Sequence, residues 1–279
     1  MTQRSTNTEH FESHITISSD NTTALDHLAA DTSLSKQILK KAMTNGAVWL
    51  ESAIGVQRLR RAKKVLSAGD TLHLYYDESI QQSAPEDAIL IADEAEYSIW
   101  NKPYGMYSQG SKWGDHCTLY RYAEKHLQPQ RPAFPVHRLD RAASGLMLLA
   151  HSKTMAATLS AMFQDRRLQK QYRAMVEGVL DNISLPYVIA DDVDDKPAIS
   201  KIIALQQQGN DTLVTIEIET GRKHQIRQHL SGLGYPIVGD RLYGSGKSHE
   251  NLQLQSNYLR FNCPLTGKIK EYSLDWTET

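Results

Sequence analysis

The sequence contains little cysteine and no long apolar run. Only two cysteines, Cys117 and Cys263, occur among 279 residues, and they form no Cys-x-x-Cys pair. This scarcity argues against a disulfide framework and against a zinc site. No segment approaches the roughly 18 apolar residues that a membrane-spanning helix needs, and the first residues lack the basic and then apolar layout of a signal peptide. We therefore expect a cytoplasmic protein without a membrane partner.

A positive charge excess is also missing. The chain has 31 Lys plus Arg and 32 Asp plus Glu, which gives a net charge of −1, whereas nucleic-acid-binding proteins often carry many more cations than anions. The charges are segregated, since acidic residues gather in 85–96 and 191–195. Cations gather in a basic cluster, which consists of Arg58, Arg60, Arg61, Lys63 and Lys64. Such a cluster can bind phosphates, but a solvated surface has the same composition.

The remaining composition is that of an ordinary globular protein. Hydrophobic residues make up 40% and charged residues 23% of the chain, which argues against a disordered, fibrous or membrane protein. The length suits one domain of about 200 residues with a small accessory module. We divide the chain into a polar, disordered tail at 1–14, a module at 15–77, a linker at 78–88 and a main domain at 89–279.

The module at 15–77 has two predicted helices followed by strands. Apolar residues recur at helical spacing from Leu25 and again from Ile38. A short strand, the basic cluster and an Ala-Gly-Asp turn then lead into an alternating strand. This order resembles the alpha-L RNA-binding module that is named after a ribosomal protein of the small subunit. Residues 49–52 depart from the Val-Asn-Gly-like turn of that module.

The main domain is predicted to be rich in strands. Residues 144–152 form an apolar run that indicates a buried strand, and the next segment has an apolar helical face. Turn residues near 209–211 and 264–267 indicate β-hairpins. We expect an α+β fold with a mixed, largely antiparallel sheet and packed helices, plus a small α/β module. The segment 101–105 is predicted to be a turn that exposes Asn101 and Lys102.

A charged segment directly precedes the apolar run. It contains His137, Arg138 and Asp140, in the sequence HRLDRAASGL. This sequence resembles the His-Arg-Leu-Asp-x-x-Thr-Ser-Gly-Leu signature of the RluA-type pseudouridine synthase family. Other motifs of this family occur along the chain in the expected order. NKPYG lies before this segment, and QKQYRAMVEG, TGRKHQIR and PIVGD lie after it. The resemblance covers about residues 96–275, and it implies a pseudouridine synthase fold, an RNA substrate and no cofactor or metal.

Two positions depart from the family motifs. Ala143 replaces the usual Thr after the His-Arg-Leu-Asp segment, and Lys223 replaces the usual Thr before His224. Both departures change polar groups near the expected site, but neither removes the carboxylate of Asp140.

The chemistry of pseudouridine formation requires a carboxylate. The reaction breaks the bond between ribose and the base nitrogen, turns the uracil over and rejoins the sugar to carbon 5, without net oxidation or reduction. A carboxylate next to the anomeric carbon can act as nucleophile or base, and the resemblance assigns this role to Asp140. An ester intermediate and a glycal intermediate both remain open.

The resemblance also assigns partners to Asp140. Arg227 is expected to keep this carboxylate ionised, because a nearby arginine typically lowers a carboxyl pKa by about 1 to 3 units. Tyr172 is expected to pack against the uracil and to relay a proton. Arg138 is expected to enter the RNA stack in place of the displaced nucleotide. His137, Lys170 and the basic cluster complete the predicted RNA-binding residues.

Two other functions are compatible with parts of the sequence. A non-catalytic RNA-binding protein could share the fold, although the presence of Asp140 and Arg227 argues against it. A glycosidase or nucleoside hydrolase also places Asp at an anomeric carbon, but no motif supplies its second carboxylate. We expect a monomer that modifies ribosomal RNA of the large subunit, with transfer RNA as the second candidate.

Overall fold

The computed structural model describes residues 10–246 and 250–277. It separates into two compact units, of which the first comprises Met1–Pro85 and Gln109–Tyr122. The second comprises Glu86–Ser108 and Ala123–Thr279. The division differs from the predicted one, because a segment from within the main domain belongs to the first unit. None of the helices in the described ranges has the length and hydropathy to cross a bilayer.

The first unit is an antiparallel sheet with helices packed on one face. The strands lie in the order β1 (His10–Thr16), β4 (Thr71–Asp77), β2 (Val48–Ser52) and β3 (Gly55–Arg58). The helices are α1 (Ala24–Asp31), α2 (Lys36–Thr44) and α3 (Glu78–Gln82). The hydroxyls of Thr23 and Ser35 accept hydrogen bonds from the first turns of α1 and α2, which explains where these helices begin. Alternate strand residues supply the core with the apolar faces of α1 and α2.

Two predicted boundaries of the first unit need correction. Residues 10–14 were expected in the disordered tail but lie in β1, because Phe11 and Ile15 pack on the core. Residues 1–9 of that tail lie outside the described residues. The expected linker at 78–88 contains α3, whose Gln81 is buried.

A buried carboxylate ties the inserted segment 109–122 into the first unit. One carboxylate oxygen of Asp115 accepts hydrogen bonds from Arg60 at 2.5 Å and from the Tyr120 hydroxyl at 2.6 Å. The same oxygen lies 3.5 Å from Arg58 Nε, and the Asp115 side chain is 1% exposed. Because the charges compensate each other, this carboxylate can be buried. The segment is therefore a structural part of the first unit.

The five cations of the basic cluster fall into two groups, one bound within the protein and one exposed. Arg58 also donates to the carbonyl of Ser111 at 2.7 Å, and its guanidinium lies 4.3 Å over the Trp49 ring. Arg60 donates to the carbonyl of Thr44 at 2.7 Å. These two arginines serve internal contacts, in contrast to the expectation that all five cations face phosphates. The other three, Arg61, Lys63 and Lys64, are exposed.

The second unit is built on a large mixed sheet. The strand order is β10-β11-β12-β9-β13-β8-β6-β5, with β14 paired to β13 and β7 paired to β8. All these pairs are antiparallel except β8 with β13. The strands are β5 (Ile89–Asp93), β6 (Tyr97–Lys102), β7 (Phe134–Pro135), β8 (Ser144–Ala150), β9 (Gln169–Val176), β10 (Tyr187–Ile189), β11 (Ser200–Gln208), β12 (Asp211–Ile218), β13 (Leu254–Asn262) and β14 (Ile269–Ser273). The predicted α+β class with a largely antiparallel sheet is confirmed.

Two helices of the described chain lie wholly within the second unit, α5 (Lys153–Gln164) and α6 (Gln225–Gly232). Helix α4 (Leu119–His126) begins in the inserted segment and ends in the second unit. The apolar face of α5 packs on β6 and β8 through Met155, Leu159 and Met162. Every residue of β8 is buried, as its unbroken apolar sequence predicts.

A glycine permits the parallel pair of β8 and β13. Gly145 has a φ of +110°, and a Cβ atom there would lie 2.3 Å from the carbonyl oxygen of Ser256. Only glycine allows so close an approach. Ser256 pairs with Gly145 on one side and with Tyr172 of β9 on the other. The chain segment just before β8 is thereby brought close to Tyr172.

We predict that Asp115→Ala destabilises the first unit by about 3 kcal/mol, because it leaves two partly buried arginines without their counter-charge. Chemical denaturation monitored by tryptophan fluorescence measures this loss. Glu51→Gln, at an exposed carboxylate of the same unit, serves as the control and should change stability by less than about 1 kcal/mol. Equal effects of the two substitutions would contradict the structural role of Asp115.

Candidate active site

The loop that carries Asp140 is held on both sides by the segment 102–108. Ser108 Oγ donates to the carbonyl of Leu139 at 2.7 Å and accepts from its amide at 3.0 Å. The amide of Gly105 donates to the carbonyl of Arg141 at 2.9 Å, and Arg141 Nε donates to the carbonyl of Gly105 at 3.1 Å. The residues before and after Asp140 are thus anchored by hydrogen bonds.

Lys102 supports this loop from inside the protein. Its side chain was expected on the surface, but Lys102 is 0% exposed. The ammonium donates to the carbonyls of Pro103 at 3.0 Å, Met106 at 2.9 Å and Arg141 at 3.4 Å. Burial lowers the pKa of Lys102 to about 7, and the negative charge of Asp140 opposes this shift. Lys102 therefore joins the turn at 103–106 to the Asp140 loop.

Asp140 faces two basic side chains from the start of α6. One of its carboxylate oxygens lies 3.6 Å from Arg227 Nη1 and 3.7 Å from His224 Nε2. The Asp140 side chain is 19% exposed, whereas that of Arg227 is only 6% exposed. The carboxylate is therefore accessible to a ligand, while its cationic neighbour is covered.

A second carboxylate orients Arg227. Asp240 accepts two hydrogen bonds from this guanidinium, from Nε and from Nη2, both at 2.7 Å. Asp240 also accepts from the amides of Leu242 and Tyr243. Burial raises the pKa of Asp240, but these hydrogen bonds outweigh it and hold the pKa below its usual value. The two-point contact leaves Nη1 of Arg227 directed at Asp140.

His224 and Tyr172 complete the polar surroundings of Asp140. His224 has a φ of +57° at the start of α6, and its Nδ1 lies 3.1 Å from the Tyr243 hydroxyl. Tyr172 is 9% exposed. Burial raises the pKa of Tyr172 to about 12, and a hydrogen bond with Ser256 opposes this shift. The Tyr172 hydroxyl is therefore protonated at neutral pH.

These side chains line one cavity of about 300 Å³, a volume that suits a small ligand such as a nucleoside. The apolar part of its wall includes Leu139, Ile218, Ile226 and Leu254, and the polar part includes Arg138, Asp140, Tyr172, His224 and Arg227. Four of the predicted site residues thus meet in one place. Both departures from the family motifs lie here as well, Ala143 in the wall and Lys223 at an exposed position.

His137 makes contacts within the protein, and it also lines a second cavity beside the first. Its Nε2 accepts a hydrogen bond from the amide of Leu148 at 2.9 Å, and its ring stacks on Phe163 at 4.4 Å. Burial lowers the pKa of His137 to about 3, and the charge of Lys170 adds to the effect. A neutral imidazole offers no charge to a phosphate, so the contacts of His137 serve mainly to anchor the loop.

Comparison with known proteins identifies the family. The model of the RNA pseudouridylate synthase family matches residues 96–232. The tRNA pseudouridine synthase C of Yersinia pestis is 30% identical over 223 residues, which cover 68% of this chain and 86% of that protein. The chain belongs to the RNA pseudouridylate synthase family. It is therefore an isomerase that acts on RNA. An uncharacterized RNA pseudouridine synthase of Synechocystis is 34% identical over 197 residues, 65% of this chain and 67% of that protein.

Solved structures of the family share the fold. Human RNA Pseudouridylate Synthase Domain Containing 1 superposes with a TM-score of 0.57 at 22% identity, covering 69% of this chain and 85% of that structure. Human RNA Pseudouridylate Synthase Domain Containing 4 gives a TM-score of 0.54 at 23% identity, with 68% and 88% covered. The predicted pseudouridine synthase fold is confirmed.

Three contributors to the site were not predicted from the sequence of this synthase. Asp240 stands in the PIVGD motif, but nothing in the sequence indicates that it binds Arg227. Ser108 carries no sequence signal at all. Lys102 stands in the NKPYG motif, yet a lysine beside a turn is normally a surface residue. Only the geometry assigns these three their supporting roles.

We predict that Asp240→Asn reduces the single-turnover rate of this pseudouridine synthase by about 10- to 100-fold. The amide presents an N–H group to a guanidinium, so Arg227 loses its two-point contact and its orientation toward Asp140. Rapid-quench assays on saturating RNA measure the rate, and circular dichroism checks the fold. Asp181→Asn, at an exposed residue, is the control. An unchanged rate for Asp240→Asn would contradict the orienting role.

Proposed function

We propose that this RNA pseudouridine synthase uses Asp140 as its essential nucleophile or base. One observation carries the proposal: Asp140 is the single carboxylate among the described residues that line the 300 Å³ cavity. A paired-carboxylate glycosidase mechanism needs a second acid in the same cavity, and the wall supplies none. The isomerisation needs one carboxylate at the anomeric carbon and no oxidant.

The surrounding groups suit both routes that remain open. In one, the carboxylate bonds to the anomeric carbon as the uracil departs, and carbon 5 of the uracil later displaces it. In the other, the carboxylate removes a ribose proton to form a glycal and returns it afterwards. In both routes Arg227, whose Nη1 lies 3.6 Å from the carboxylate, offers it a positive counter-charge. Tyr172 offers a protonated hydroxyl and a ring face against which the free uracil packs.

Arg138 is proposed to take the place of the extruded uridine. Its side chain is exposed at the cavity wall, two residues before Asp140. Extrusion of a stacked base costs a few kcal/mol, and an inserted planar cation offsets part of that cost.

Transfer RNA and ribosomal RNA are both candidate substrates. Ribosomal RNA was the expectation from the appended module, whereas similar proteins from Yersinia pestis and Vibrio cholerae are named tRNA pseudouridine synthase C. The names of these relatives favour transfer RNA, and mapping of modified sites distinguishes the two.

We predict that Asp140→Asn abolishes pseudouridine formation without loss of RNA affinity, because the amide keeps the shape but not the basicity of the carboxylate. Pseudouridine is mapped across transfer and ribosomal RNA in cells without the gene, complemented by wild type, Asp140→Asn or Asp181→Asn. Sites that disappear with the gene should return with wild type and with Asp181→Asn alone. Their return with Asp140→Asn would contradict an essential role.

We further propose that the first unit contributes RNA affinity without chemistry. Within the basic cluster, Arg61, Lys63 and Lys64 are the exposed cations available for phosphates. Because Gln109–Tyr122 belongs to this unit, substitution is a cleaner test than removal of the module, which would strip Asp115 of its partners.

We predict that changing Arg61, Lys63 and Lys64 together to Gln makes RNA binding less sensitive to salt. The slope of the logarithm of the binding constant against the logarithm of the salt concentration should fall in magnitude by roughly two to three, because each phosphate contact contributes slightly less than one to it. Anisotropy measurements over a salt series give the slope. A triple change of Lys153, Lys125 and Lys268 to Gln, at exposed sites of the second unit, is the matched control. Equal slopes for the two triple variants would show that the cluster is a solvated surface.

A further inference from the structure

A second cavity adjoins the one that contains Asp140. Its volume is about 420 Å³, and it shares Arg138, Tyr172 and Arg222 with the first cavity. Its own wall adds Arg166, Lys170 and Glu219. Four cations and one carboxylate therefore surround this space, and the established reaction assigns it no occupant.

None of the four cations of this wall forms an ion pair with a described carboxylate. In the described part of the chain, no carboxylate lies within ion-pair distance of Arg138, Arg166, Lys170 or Arg222. Lys170 is half-buried, and its ammonium lies 5.8 Å from the Phe163 ring centre. Desolvation lowers the pKa of Lys170, and the neighbouring charge of Arg166 adds to this effect. A partly buried cation without a counter-ion is unfavourable in the free protein, and an anionic ligand removes that cost.

Helix α5 explains only part of this charge. Arg166 follows the C-terminus of α5, where a cation interacts favourably with the helix dipole. Lys170 lies in β9, away from any helix end. It stands two residues before Tyr172 and so projects from the same face of the strand. Two residues along a strand span about 6.6 Å. Lys170 is therefore about as far from the Tyr172 ring, which faces the first cavity, as one nucleotide is from the next along an RNA strand.

We propose that the second cavity binds a backbone phosphate next to the target uridine, with Lys170 and Arg166 as the anion-binding groups. The proposal rests on the proposed placement of the uridine in the first cavity. A ligand that extends from the first cavity into the second passes between Tyr172 and Arg138, which border both. An RNA strand provides such a ligand, because its phosphates are joined covalently to the nucleoside.

The test combines protein variants with RNA of altered charge. The probe is a stem-loop RNA that contains the mapped uridine, in which the phosphodiesters flanking this uridine are replaced one at a time by neutral methylphosphonates. Affinity is measured by anisotropy in an Asp140→Asn background, so the readout does not depend on turnover. Failure of the catalytic proposal and failure of the phosphate proposal therefore give different results.

At one flanking linkage we expect the methylphosphonate to weaken RNA binding by about tenfold or more. This is the loss expected when a hydrogen bond to a charged group is removed. With Lys170→Met the same replacement should change affinity less than about twofold, and Lys170→Arg should restore the penalty. Lys268→Met, at an exposed lysine outside the cavity, should behave as the parent. Arg166→Met provides a second variant at an exposed position, in case Lys170→Met does not fold.

Two results would overturn the proposal. The first is a methylphosphonate penalty that is the same in the parent, in Lys170→Met and in Arg166→Met at every flanking linkage. The second is inorganic phosphate that binds in a Lys170-dependent manner without competing with the stem-loop, which would identify a free-anion site instead.

Discussion

The close backbone contact between Gly145 and Ser256 is the constraint on which the site depends. It allows β8 and β13 to run side by side as the parallel pair of an otherwise antiparallel sheet. Since β13 also pairs with β9, the Asp140 loop and Tyr172 meet at the same region of the sheet. A side chain at position 145 would force these strands apart and separate the carboxylate from the ring that is proposed to hold the base.

Two buried ionisable side chains support this site through hydrogen bonds. Lys102 beneath the loop donates to three backbone carbonyls, and Asp240 binds Arg227 by two hydrogen bonds. Burial of either charged group without partners would destabilise the fold, and its hydrogen bonds offset most of this loss of free energy. Asp140 differs, because its carboxylate lies more than 3.5 Å from Arg227 and from His224 and stays partly exposed. Lys102 and Asp240 thus make their hydrogen bonds within the protein, whereas the Asp140 carboxylate remains able to contact a substrate.

The first unit illustrates how a basic sequence divides between folding and binding. Arg58 and Arg60 are bound to Asp115, which lies more than 50 positions later in the chain. Arg61, Lys63 and Lys64 remain exposed. Both groups stand in one continuous basic stretch of the sequence, so composition alone does not separate them. The two groups differ because Arg58 and Arg60 contact the inserted segment through Asp115, whereas the other three side chains do not.

The sequence alone determined the family, the α+β class and the buried strand before which Asp140 lies, and it predicted a site that contains Asp140, Tyr172, Arg138 and Arg227. These follow from local patterns, because apolar periodicity and contiguous motifs are properties of neighbouring positions. Tertiary structure alone decided the partnership of Arg227 with Asp240, the burial of Lys102, the contacts of His137 with Leu148 and Phe163, the membership of Gln109–Tyr122 in the first unit, and the second cavity. Each of these depends on contacts between distant positions, and hydrogen-bond geometry and desolvation act only once the chain has brought those positions together.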